Sequence, residues 1–191
     1  MSVEEIRSKL NLADVDSFPP ENVVKEFSDQ IESVTDGMVI GRVEPYEGKI
    51  ESYTIKGIAA LSSLTSEREY DIQKDLGAQG YIYSRFEFFL TAASLPSYKY
   101  RILFFEYGIG GYPVKIVLEQ SIADSINKYR TSDCSYKMTD RSKLEEMINR
   151  VISAPKTIEV IQDLINATKI EQSRESLKEA SEPDEENPQE G

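Results

Sequence analysis

The stretch from Tyr81 to Glu119 limits what this chain can fold into more than any other, because it holds eleven of the eighteen aromatic residues. Tyr81, Tyr83, Phe86, Phe88 and Phe89 come before Leu95-Pro96-Ser97. Tyr98, Tyr100, Phe104, Phe105 and Tyr107 come between that break and Gly108-Ile109-Gly110-Gly111, and Tyr112 follows it. Aromatic and β-branched runs interrupted by Pro and Gly clusters specify strands joined by turns, so this segment predicts a three-stranded antiparallel meander.

The loops also set a register. A first turn centred on Leu95-Pro96 puts Phe86 opposite Phe105, Phe88 opposite Leu103 and Leu90 opposite Arg101. A second turn centred on Ile109-Gly110 puts Phe105 opposite Val114 and Leu103 opposite Ile116. Side chains alternate between faces along a strand. One face then collects Phe86, Phe88, Leu90, Leu103, Phe105, Val114, Ile116 and Leu118, a core face interrupted only by Arg101. The other collects Tyr83, Arg85, Glu87, Phe89, Tyr100, Ile102, Phe104, Glu106, Lys115 and Val117. That second face mixes aromatics with both signs of charge, which is interface composition. It is also the composition of a semi-exposed sheet face held by cross-strand ion pairs.

The rest of the chain supplies covers for the core face. Val24, Phe27, Ile31 and Val34 make one helical stripe, with Pro19-Pro20 at its start and Gly37 past its end. Met38–Val43 and Lys49–Ile58 flank Glu44-Pro45-Tyr46-Glu47-Gly48 and read as a hairpin. A short polar helix is expected near Ser66–Leu76, a helix over Gln120–Tyr129 and an edge strand over Ser132–Met138. Leu144, Met147, Ile148, Val151 and Ile152 recur with helical period after two competing caps, Asp140 and the Ser142–Glu145 capping-box spacing. Ser153-Ala154-Pro155 ends that helix and starts another, with Ile158, Ile161, Leu164 and Ile165 on one face. The fold class expected is α+β, a mainly antiparallel sheet (hairpin plus meander) packed by an N-terminal helix and a C-terminal helical hairpin.

The chain of 191 residues suits one domain, placed at residues 1–169. Beyond it, Ile170 to Gly191 carries eight acidic and two basic residues and no aromatic, half of the net charge of −12. Such a segment buries too little to offset its ordering entropy, so a disordered acidic tail with a frayed helical start is expected. No run of eighteen apolar residues occurs, and the opening MSVEEIRSKL lacks the apolar core of a secretory signal. One cysteine cannot form an internal disulfide, which favours a reducing, cytoplasmic setting.

Composition excludes much chemistry. The chain has no histidine, so the commonest general base, the usual metal ligand and every Ser-His or Cys-His nucleophile are missing. Cys134 lies between Asp133 and Ser135, with nothing to lower its thiol pKa. Gly108-Ile109-Gly110-Gly111 precedes a strand pattern rather than a helix, so it is no dinucleotide fingerprint. Asp14 and Asp16 start a calcium-loop spacing that Pro19 and Lys25 then break. No catalytic residue, metal ligand or cofactor is expected. Scattered basic residues in an acidic chain also argue against nucleic acid.

The expectation is therefore a non-catalytic cytoplasmic protein-interaction module: an acidic inhibitor, immunity-type protein or chaperone for a basic protein partner. Its docking residues are expected to be Tyr83, Arg85, Tyr100, Phe104, Glu106 and Lys115, and an exposed sheet face or edge leaves a homodimer open. The alternative is a small-ligand-binding domain with a pocket between sheet and helices, and carboxylate chemistry at Glu87 and Glu106.

Overall fold

A computed structural model describes residues 4, 5, 7, 18–50, 84–126 and 134–179. Its elements run α1 (Pro20–Val34), β1 (Val39–Pro45), β2 (Ser84–Ala92), β3 (Leu95–Tyr107), β4 (Val114–Leu118), α2 (Gln120–Ile126), β5 (Ser135–Met138), α3 (Arg141–Ile152) and α4 (Pro155–Glu179). The five strands form one sheet in the order β1-β2-β3-β4-β5, every neighbouring pair antiparallel. The expected α+β class and antiparallel sheet are thus present. The second strand of the expected hairpin, Lys49–Ile58, falls almost wholly outside the described residues, as does the helix over Ser66–Leu76. Lys49 and Ile50 are described and are not strand. Within the described sheet β1 pairs directly with β2, Arg42 opposite Phe89 and Glu44 opposite Glu87.

Helix α1 begins with Pro20 at its first position and buries Val23, Val24, Phe27 and Ile31. Val34, expected on that stripe, is the last helical residue and is 79% exposed. The chain then reverses through Asp36 and Gly37, both at positive φ, and the Gly37 amide donates to the Glu32 carbonyl at 2.9 Å. The Thr35 hydroxyl donates to the Ile31 carbonyl at 2.8 Å and accepts from the Val39 amide at 3.2 Å, tying the helix end to the start of β1. Asp140 is the cap of α3, accepting from the Lys143 amide at 3.0 Å, which decides between the two candidate caps.

The register holds where strands are regular and departs where they are not. Phe86 faces Phe105 and Phe88 faces Leu103, as expected. The next pair is Phe89 with Arg101, leaving Ile102 as an extra residue in β3, and Leu90 then faces Tyr100 rather than Arg101. A β-bulge of this kind inverts the alternation beyond it. Ile102 and Tyr100 consequently turn toward the core cluster, and Arg101 turns away from it to Glu87. The bulge removes the one charge that a regular β3 would have buried.

A second correction concerns β4. Phe105 faces Ile116 and Leu103 faces Leu118, two residues from the expected pairing, because the turn needs its positive-φ residue at Gly111. A shift of two keeps every side chain on its face.

Phe88, Leu90, Ile102, Leu103, Phe105, Ile116 and Leu118 form one buried cluster with residues of α1, α2, α3 and α4, among them Ile122, Leu144, Ile148, Val151 and Leu164. Helices α1–α4 therefore cover the same, inner face of the sheet. Helix α4 packs as far as Thr168, whose hydroxyl donates to the Met38 carbonyl at 3.2 Å. It then continues as an exposed helical arm to Glu179, and residues 180–191 lie outside the described residues.

Candidate functional site: the outer face of the sheet

With α1–α4 inside, the outer face is read from the strand pairings, and at its centre Phe89 and Val117 are buried. One row across the sheet is Arg42, Phe89 and Arg101. The next is Glu44, Glu87, Phe104, Val117 and Ser135. A third is Arg85, Glu106, Lys115 and Lys137. Lys99 reaches over the first two rows, its ammonium 4.1 Å from the Phe89 ring centroid and within hydrogen-bond distance of Glu44 and Glu87.

Ion pairs connect these rows. Glu87, with a side chain only 8% exposed, accepts from Arg101 at 2.6 Å and from Lys99 at 3.3 Å. Glu106 accepts from Arg85 at 3.2 Å and from Lys115 at 3.3 Å. Lys115 also donates to the Ile50 carbonyl at 3.4 Å. The carboxylates of Glu44 and Glu87 hold the Lys99 ammonium pKa above its usual value, the Glu44 hydrogen bond contributing most. Glu87 and Glu106 each sit between two cations. They are partners in ion pairs.

Summed over the described residues, this face carries six cations (Arg42, Arg85, Lys99, Arg101, Lys115 and Lys137) and three carboxylates (Glu44, Glu87 and Glu106). That is a net of +3 on a chain whose total is −12. The expectation of a basic partner came from the total; the local sign is the opposite.

Four of the six expected docking residues, Arg85, Phe104, Glu106 and Lys115, stand together here. Phe104 is half-buried, its ring centroid 4.6 Å from that of Tyr46. Tyr100, expected on this face, lies on the inner side because of the bulge, its hydroxyl 3.5 Å from Glu119. Burial raises its pKa above the ordinary tyrosine value, and the Glu119 charge adds to the shift. Tyr83 falls outside the described residues. Sequence reasoning passed over Arg42, Lys99, Arg101 and Lys137. The first and last were legible from alternation in β1 and β5, whereas Lys99 and Arg101 reach this face only through the bulge.

A cavity of about 350 Å³ opens on the outer face over the end of the third row, lined by Glu106, Pro113, Lys115, Ser135, Tyr136 and Lys137. No lining residue comes from a helix, so it is not the sheet-to-helix pocket of the ligand-binding alternative. Among the described residues no cluster of His, Cys, Asp and Glu could hold a metal ion, and no helix is long and apolar enough to cross a membrane. The chain matches no family model, no curated protein and no solved structure.

Proposed function

We propose that this protein is a non-catalytic protein-interaction module that docks a partner on the outer face of its sheet. The observation that carries this reading is the charge inversion: six cations gathered on one face of an acidic chain, with an aromatic pair, Phe104 and Tyr46, among them. Arg and aromatic side chains on a surface are what interface centres are built from. The local charge calls for a partner that presents carboxylates at the contact. The large negative charge elsewhere disfavours a long polyanion such as nucleic acid, which would extend past the face into a repulsive field. Long-range steering of a partner whose remaining surface is basic would come from that same charge, with the acidic segment after Ile170 as its accessory. A cytoplasmic location accords with the lone cysteine, Cys134, which is buried.

Arg42 tests the reading cleanly. It is exposed, it projects from the edge strand β1, and among the described residues it makes no ion pair. Arg42→Glu should leave the melting temperature near that of the parent while weakening partner capture from the native lysate at least ~10-fold, since a like charge would face the partner's carboxylates. Phe104→Ala should act in the same direction by removing an anchor ring. Equal capture by the parent and by both folded variants contradicts the proposal.

A further inference from the structure

The third row of the outer face reads Arg85, Glu106, Lys115, Lys137 from β2 to β5. Charges alternate across the first three strands and then repeat. Lys115 and Lys137 are directly opposed on antiparallel neighbours, an arrangement that destabilises a sheet when both side chains are cationic. Lys115 is engaged by Glu106 at 3.3 Å and by the Ile50 carbonyl at 3.4 Å, which among the described residues leaves one of its three N–H donors unused. Lys137 has no ion pair among the described residues, and the Ser135 hydroxyl, next to it on the same face, has no hydrogen-bond partner there.

The row is thus one anion short, and the cavity lies where that anion belongs. Its volume of about 350 Å³ exceeds what a bare ion needs and reaches the lower end of the range for small-molecule sites. Pro113 supplies carbon surface beside the two ammonium groups, and Tyr136, whose ring packs toward the core, borders the cavity from β5. Glu106, the one carboxylate in the lining, is neutralised by Arg85 and Lys115. Among the described residues, Lys137 therefore stands as an uncompensated positive charge in the cavity wall.

We propose that this cavity is a binding site for a small organic oxyanion, a carboxylate or phosphate group held between Lys115 and Lys137 with the Ser135 hydroxyl as a further donor. The body of the ligand rests on Pro113. The site stands apart from Arg42 on β1, so it does not depend on the docking reading.

Full-length protein is melted in potassium phosphate, in potassium glutarate and in potassium chloride at matched ionic strength. A saturable rise in melting temperature over chloride with either oxyanion is expected, phosphate alone indicating a phosphorylated ligand and glutarate alone a carboxylate. Lys137→Gln should bind the effective oxyanion at least ~10-fold more weakly, because a charge-assisted contact is lost. In chloride the same variant should melt slightly higher than the parent, since the repulsion with Lys115 is gone. Ser135→Ala should weaken binding less, and Arg42→Glu should leave the oxyanion-induced rise unchanged, keeping this site separable from partner docking. No rise beyond chloride with either probe, or an equal rise in Lys137→Gln, overturns the proposal.

Discussion

Glu87 is buried, and its charge is tolerable only because Arg101 and Lys99 donate to it. Removing the closer partner leaves a buried carboxylate under-satisfied, which costs more than the net worth of the bond itself. Arg101→Ala is therefore expected to lower stability by about 1–3 kcal/mol in denaturant unfolding, although half of the arginine side chain is exposed. Tyr107 works on the opposite face. It donates to the Glu21 carboxylate, tying β3 to the first turn of α1, and its ring stacks on Phe86 at 6.1 Å. Burial, with the hydrogen bond to Glu21 second, pushes its pKa up to about 12 from an ordinary 10.0. The folded state then holds its proton more tightly than the unfolded chain does, so the contribution is complete below pH 10 and is lost as pH rises toward 12. Tyr107→Phe should make the alkaline limb of the stability curve less steep, and tyrosinate absorbance should follow one fewer late-titrating phenol. An unchanged alkaline limb would mean that the hydroxyl is not coupled to folding.

At the scale of elements, α1 and β1 fit closely. A Cβ added to Gly41 would collide with the Ser28 side chain and come within 3.1 Å of its Cα, so the helix could not sit at its present distance. Gly41→Ala should cost about 1–3 kcal/mol by overpacking, with Ser28→Gly partly restoring it. If Gly41→Ala melts with the parent, α1 is not seated where the structure places it. How far these elements were legible in the sequence depends on what specified them. The stripe Val24, Phe27, Ile31 and the run Leu144, Met147, Ile148, Val151 bury as their periodicity requires. The pairing of Phe86 with Phe105 followed from the position of a Pro turn. The Ile102 bulge left only an indirect trace, in that an unbulged β3 would point Arg101 into the core. The incompatible charge was visible; the way the backbone resolves it, by one extra residue, was not. Likewise the Gly108–Gly111 run announced a turn, but which glycine adopts positive φ fixed the β3–β4 register, and the three glycines, Gly108, Gly110 and Gly111, could not be told apart by composition.

For the molecule as a whole, the two sheet faces differ in what they carry. The inner face is covered by four helices that bury Val23, Ile122, Leu144 and Leu164 against it. The outer face keeps Arg101 half exposed and Lys115 and Lys99 about a third exposed, and gathers a net of +3 in a chain at −12. Four of the six expected docking residues were legible for a physical reason. Alternation assigns faces correctly as long as the strands are regular, and Arg85, Phe104, Glu106 and Lys115 precede or avoid the bulge. Tyr100 lies beyond it and was misassigned to the outer face. Charge totals were less informative than charge placement, since a negative chain can present a positive surface.

The most direct test of a docking surface on the outer face is site-specific photocrosslinking in the native lysate. A photoreactive residue is placed at Arg42 on the outer face, or at Ile158 and Ile170, which are exposed on α4 by 52% and 54%. The account predicts one partner captured from position 42, competed away by excess unlabelled protein, and nothing of comparable yield from positions 158 and 170. Capture of the same partner from α4 with none from position 42 would contradict it.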